Sequence, residues 1–209
     1  MHLHRVTVRV ADLERSRRFY ALVLAVLGLE PTHEGPDLVA WSDFAIAPAG
    51  AGAAVTRRLH LGFVAPSRDH VDRFWRAGAE AGYHDDGRPG PRPVYGHDYY
   101  GGFLLDPDGV SAEAVHHHDL RRGGAVDHLW IRVADVAASK RFYEDVGGRA
   151  GFELRDDSAG RARFAGATGS FSVLDDGLPA AGIELAFPAA ASGAMIDPDG
   201  NRVELVERG

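Results

Sequence analysis

The sequence predicts an α+β fold of tandem βαβββ modules, set out as two domains whose last module lacks its helix. Two internal repeats and the hydrophobic periods within them predict it. Residues 8–20 read VRVADLERSRRFY and residues 131–143 read IRVADVAASKRFY, an offset of 123 positions. LLDPDGVSAEAV at 104–115 returns as MIDPDGNRVELV at 195–206, but the offset has fallen to 91. The second copy has therefore lost about 30 residues between its matched ends.

Each element follows from period and caps. VTVRV (6–10) alternates as a strand. Asp12 then caps a helix with Leu13, Phe19, Leu22 and Val23 on its apolar face. Short strands are expected near 38–48. HLGFVA (60–65) is another strand, and Ser67 caps a helix carrying Val71, Phe74, Trp75 and Gly78, closed by Gly82. A Gly/Pro-rich loop (87–93), the strand YYGGFLL, a DPDG turn and the strand SAEAV complete the first half, 1–118. HHHDLRRGG is polar and breaks the pattern, so the linker is placed at 119–125. The second half, 126–209, opens with a strand and a helix capped by Asp135 that carries Val136, Phe142, Tyr143 and Val146 and should stop at Gly147 and Gly148. Strands follow within 150–174. From IELAF (183–187) only PAAASG separates the chain from AMIDPDG, too little for a helix with its connections.

Composition narrows the function. Apolar residues at 45% and charged residues at 25% suit a soluble globular chain. The longest apolar stretch, 21–29, is too short for a membrane span, and MHLHRVTVRV lacks the pattern of a signal peptide. Cysteine is absent, which excludes disulfides and thiolate metal sites and fits a cytoplasmic location. The net charge is −7 with dispersed arginines, which argues against nucleic acid as a partner.

The DLERSRRFY segment after a strand, the His60-Leu61-Gly62-Phe63 strand, and DPDGxxxE twice, ending at Glu113 and Glu204, resemble the vicinal oxygen chelate superfamily of glyoxalases, extradiol dioxygenases and antibiotic-resistance proteins. The resemblance covers nearly the whole chain. It implies paired βαβββ units closing a sheet around a cup, with a divalent metal (iron, manganese, nickel or zinc) held by first and last strands and chelated by two oxygens of a small-molecule substrate. The family's first-strand ligand stands seven residues before the capping Asp. In the second half that residue is His128; in the first it is Arg5. His128, Trp130 and Arg132 should line a cup, as should Arg5, Thr7 and Arg9, whereas His4 falls on the helix side.

If consecutive modules pair, one cup offers Arg5, His60 and Glu113, and the other offers His128, Glu184 and Glu204. Two readings of the first cup stand. A metal binds His60 and Glu113, helped by His4, Asp43 or water; or Arg5 replaces the metal, pairs with Glu113 and clamps an anion together with Arg9. Arg5 and Glu113 are then the candidate catalytic residues. Arg92, Tyr95 and Tyr99 are candidate substrate contacts, and Tyr100 belongs to the same family pattern. His116, His117 and His118 are expected in a solvated linker, and the DPDG turns are structural. The helix-less module leaves a sheet face to be covered, by the first half or by a second copy in a homodimer. The function implied is a metal-dependent enzyme of the glyoxalase–dioxygenase type acting on a small oxygenated substrate; the alternative is a non-catalytic binding protein of the bleomycin-resistance kind.

Overall fold

In the computed structural model, which describes residues 3–166 and 169–207, the repeated segments become four modules. The first is β1 (Arg5–Val10), α1 (Leu13–Val26), β2 (His33–Glu34), β3 (Val39–Trp41) and β4 (Phe44–Pro48). The second is β5 (Leu59–Val64), α2 (Arg68–Glu80), β6 (His84–Pro91), β7 (Tyr100–Leu105) and β8 (Ser111–His116). The third is β9 (Val126–Arg132), α3 (Val136–Ala150), β10 (Glu153–Ser158), β11 (Arg161–Ala165) and β12 (Ser170–Leu174). The fourth is β13 (Ile183–Ala189), β14 (Gly193–Ile196) and β15 (Arg202–Glu207). It lacks the helix, as expected, and also the strand that follows the helix in the other three.

The caps act as the sequence predicts. Asp12, Ser67 and Asp135 accept hydrogen bonds from the backbone N–H groups of Arg15, His70 and Ala138. Three local details differ. Leu22, expected on the buried face of α1, is 39% exposed, while Tyr20 and Leu24 are buried. Gly147 and Gly148 do not stop α3, which runs to Ala150 and ends where Gly151 turns left-handed at φ 77°. Gly147 instead sits where a Cβ would overlap the Phe152 carbonyl. The loop expected at 87–93 is largely β6, an edge strand whose two register shifts flank Gly87; prolines are tolerated there because an edge N–H need not pair.

The modules do not pair within each half. One sheet has the order β14-β15-β13-β1-β4-β3-β2, and the other β10-β11-β12-β9-β5-β8-β7-β6. The first module therefore shares a sheet with the fourth, and the second with the third. The stretch 119–125 lies in the loop between β8 and β9, and both sheets take strands from each side of it. Tyr20 of the first RFY motif donates to Asp106 of the first DPDG turn at 2.9 Å. Tyr143 donates to Asp197 of the second at 3.0 Å. The repeated motifs thus clasp the two modules of each half to one another, while the sheets join the halves.

One apolar core serves both sheets. Val6, Val8 and Val10 lie under the helices, and Leu129, Ile131 and Val133 do the same in the other sheet. The sheet face expected to lie open beside the missing helix is covered from within the chain. Leu185, Phe187, Val203 and Leu205 are buried, and Phe187 packs on Phe152 with ring centres 5.0 Å apart. No helix among the described residues is long and apolar enough to cross a membrane.

Asp43, weighed above as a ligand, ties the two sheets together. Its carboxylate accepts from the N–H groups of Ala125 (2.8 Å) and Val126 (3.2 Å) at the start of β9 and pairs with the buried Arg121. Removing one partner of such a pair strands the other charge in the interior. Asp43→Ala should lower the unfolding free energy by about 3–5 kcal/mol, read from urea denaturation.

Candidate metal centre

The pairing of β9 with β5 and of β5 with β8 brings His128, His60 and Glu113 into one cluster on the cup face of the eight-stranded sheet. His60 Nε2 lies 2.9 Å from Glu113 Oε2. His128 Nε2 lies 3.3 Å from the same oxygen and 3.3 Å from His60 Nε2. All three side chains are buried. Gly62 stands opposite both His128 and Glu113 in the strand registers. A Cβ at Gly62 would overlap the His128 ring, and a Cβ at Gly101 would overlap Glu113 Oε1. The two glycines are the recesses into which His128 and Glu113 fold.

Each member has an orienting partner. His60 Nδ1 faces Ser111 Oγ at 3.2 Å, and that hydroxyl donates to Asp86 at 2.6 Å. The Tyr99 hydroxyl donates to Glu113 Oε1 at 2.8 Å. His128 Nδ1 donates to Asp127 Oδ2 at 3.0 Å, and His117 Nε2 lies 3.3 Å from the same oxygen. Asp127 and His128 are adjacent yet face one site, because the register between β5 and β9 shifts there: Gly62 opposes His128, Phe63 opposes Val126, and Asp127 is the extra residue of a bulge.

The electrostatics follow from this packing. Burial lowers the pKa of His60 despite its bond to Glu113. Burial also opposes charge on His128, but hydrogen bonds to Asp127 and Glu113 outweigh it and raise the pKa to about 9. Burial pushes Glu113 up, and the two histidines overcome it and hold the carboxyl at about 2. Asp127 is likewise held below the usual carboxylate range by His117 and His128 against burial. Burial, then Glu113, raises Tyr99 far above a normal phenol.

This donor set fits a divalent cation. Ligand atoms about 2.1 Å from one ion, at tetrahedral or octahedral angles, lie about 3.0–3.4 Å from one another. The observed separations of 2.9–3.3 Å agree. Two histidines and one carboxylate, each oriented by a further hydrogen bond, suit a borderline metal that keeps positions for substrate.

The other predicted residues lie elsewhere. Arg5 is in the seven-stranded sheet and does not meet Glu113; among the described residues its Nε is buried without a partner. Arg9 Nε donates to Glu184 at 3.0 Å. Glu204 accepts from Arg202 Nε at 2.8 Å. Neither glutamate joins His128, so the two predicted ligand sets are regrouped. The reason is the crosswise pairing of modules, which carries no local signature. His4 is exposed and outside the cluster. The three linker histidines face different partners: His116 Nδ1 donates to the Ala65 carbonyl, His117 meets Asp127, and His118 meets Asp98.

Two cavities of about 470 Å³ each adjoin the cluster, one lined by His128 and the other by His60. Tyr95 and Trp130 line both and meet edge to face at 5.1 Å. Arg92 lines the His60 lobe, stacks over Phe103 at 5.3 Å and donates to the Arg88 carbonyl at 2.7 Å. The loop bearing Tyr95 is fastened by Asp98, which accepts from His118 N at 2.7 Å and faces His118 Nδ1 at 2.8 Å. Missed in the sequence were Asp127, Ser111 and His117. Asp127 stands beside a predicted ligand, but only the bulge turns it inward.

The sequence profile of the Glyoxalase/Bleomycin resistance protein/Dioxygenase superfamily matches residues 2–114. No curated protein matches the chain in sequence. Among solved structures, glyoxalase I from Zea mays is similar with a TM-score of 0.66 and 17% identity, over 99% of this chain and 92% of that one. A glyoxalase/bleomycin resistance protein from Albidiferax ferrireducens is 31% identical over 53% of this chain and 95% of its own, with a TM-score of 0.49.

Two outcomes are expected. Gly62→Ala should displace the His128 ring and weaken divalent-metal binding by about 10- to 100-fold, measured by calorimetry, with the fold retained by circular dichroism. The Asp98–His118 clasp should depend on pH. His118 is raised by its bond to Asp98, so its contribution is complete below about pH 6.5 and fades as pH rises through the higher folded value. Burial opposes charge on Asp98, but its bonds from His118 together outweigh it and hold the carboxyl at about 2, so its contribution is present above about pH 4 and fades toward pH 2. Hydrogen exchange at 94–98, corrected for its intrinsic pH dependence, should therefore be slowest between about pH 4 and 6.5.

Proposed function

Because the chain belongs to the Glyoxalase/Bleomycin resistance protein/Dioxygenase superfamily, we propose that it is a divalent-metal enzyme acting on a small substrate that chelates through two neighbouring oxygens. The observation that carries this reading is the buried convergence of His60, His128 and Glu113 at ligand spacing. Two histidines with one carboxylate are the donor set of non-haem iron oxygenases, which favours the dioxygenase side of the family. When bound, the ion supplies Lewis acidity to the substrate oxygens.

The chain's own residues then have separate tasks. His60 and His128 present Nε2, and Glu113 presents Oε2. Tyr99 holds the other carboxylate oxygen, which leaves Glu113 as ligand rather than base. Asp127 fixes the His128 ring. His117, in contact with Asp127 and lining the His128 lobe, takes up the proton that a substrate hydroxyl gives away. Tyr95 and Trp130 line both lobes beside the centre. The alternative in which Arg5 replaces the metal loses its geometry, since Arg5 and Glu113 belong to different sheets.

Elemental analysis of untagged protein should find close to one equivalent of iron, manganese, nickel or zinc per chain. His128→Ala should lose it, and Arg5→Ala should keep it. Wild-type protein that takes up no divalent ion at micromolar concentration would overturn the reading.

A further inference from the structure

The two lobes beside the metal centre treat their arginines differently. In the His60 lobe the guanidinium groups are engaged: Arg132 Nε pairs with Asp176 at 2.7 Å, Arg58 Nε donates to the Pro179 carbonyl at 2.8 Å, and Arg92 is bound to carbonyls of its own loop. In the His128 lobe stand Arg161 and Arg163, and among the described residues neither is ion-paired to a carboxylate within 4.0 Å. Arg161 is nevertheless held in place. Its Nε and Nη2 donate to Ser172 Oγ at 3.2 and 3.0 Å, Ser172 is buried, and its guanidinium lies 5.6 Å from the Trp130 ring centre.

The carboxylates of this lobe do not neutralise the pair. Asp127 is held by His117 and His128, and Asp98 and Asp119 by His118. Asp156 is exposed and sits opposite Arg163 in the β10–β11 register without an ion pair. Positive charge in a cavity, fixed by a buried hydroxyl and an indole face, is a preorganised receptor for an oxyanion. The Trp130 ring that carries Arg161 also lies 4.9 Å from His60 and 5.7 Å from His128, ring centre to ring centre. The receptor and the metal ligands therefore flank the same indole.

We infer that Arg161 and Arg163 bind an acidic group of the substrate, so that the substrate class is a small vicinal-oxygen chelator bearing a carboxylate across a ring or short chain from its chelating oxygens. This rests on the metal reading above, and the measurement separates the two. The manganese(II)-loaded full-length protein is titrated by calorimetry with catechol and with 3,4-dihydroxybenzoate, which share the chelating oxygens and differ in the carboxylate. The acid should bind about 10- to 100-fold more tightly in the wild type, with an advantage that shrinks at high salt. In Arg163→Ala and Arg161→Ala that advantage should fall to within about threefold, and Arg161→Lys should keep part of it. Equal binding of the two probes in the wild type, which needs no variant to fold, overturns the inference and leaves the metal reading standing. An advantage unchanged in both alanine variants also overturns it. Manganese uptake with no binding of either probe overturns the inferred substrate class, and failure to take up manganese overturns the metal reading as well.

Discussion

The antiparallel pairing of β5 with β9 joins the two halves of the chain and sets Gly62 opposite His128 and His60 opposite Trp130. On its other edge β5 pairs in parallel with β8, which sets Gly62 opposite Glu113. Gly62 is therefore the middle of a three-strand row: the His128 ring leans across it, while Glu113 folds over Gly101 on the next strand. Backbone hydrogen bonds fix that row to within the pleat spacing, and the side chains need only fill the recess. The bulge at Asp127 belongs to the same pairing: one residue too many on β9 turns a carboxylate toward the imidazole it must hold. The three candidate ligands come from three strands, and His128 lies on the far side of 119–125 from the other two. Neither half carries the cluster alone.

What could be read in the sequence is what local chemistry encodes. Caps at Asp12, Ser67 and Asp135, valine alternation in β1, and the DPDG turns, each closed by a left-handed glycine (Gly109, Gly200), are all determined within a few residues. The duplication was legible for a related reason. RFY and DPDG recur because Tyr20 meets Asp106 and Tyr143 meets Asp197 inside each half, and a clasp of this kind has to keep both partners. Which module shares a sheet with which is a long-range choice. Pairing the two modules of each half divided the right residues between the wrong cups, because the sheets join the second module to the third and the first to the fourth. His60, Glu113 and His128 were all identified, but only the β5–β9 register unites them. Arg161 and Arg163 carry no motif; they matter because β11 lies two strands from β9 in the same sheet.

The charges of the seven-stranded sheet make the contrast. There Arg9 meets Glu184 and Arg202 meets Glu204, with side chains about a quarter to a half exposed. Pairs of that kind contribute up to about 1 kcal/mol each. They occupy their strands with charges that satisfy one another. In the eight-stranded sheet the histidines and Glu113 are withdrawn from water, and their orientation is held by Tyr99, Ser111 and Asp127. Burial with convergent partners, rather than residue type alone, separates a ligand set from a row of surface ion pairs.

Around the cluster the two sheets share one register, apart from the bulge at Asp127, and the comparison localises what decides between them. Arg5 and His128 hold the same place on first strands, since each stands seven residues before a capping Asp. In the β1–β13 register Arg5 opposes Ala186 and Thr7 opposes Glu184, as His128 opposes Gly62 and Trp130 opposes His60 across β9 and β5. Ala186 then opposes Glu204 as Gly62 opposes Glu113. One lattice of positions reads His, His, Glu around a glycine, and the other reads Arg, Glu, Glu around an alanine. The difference at the centre is a single methyl group. At Gly62 it would overlap the imidazole that has to cross the strand, and at Ala186 it is present. The seven-stranded sheet thus has neither the imidazoles nor the recess that would let a first-strand side chain reach its neighbours. The pair Gly62 and Ala186, each three residues after the start of its strand, β5 and β13 respectively, carries the distinction between the two cups in the sequence itself.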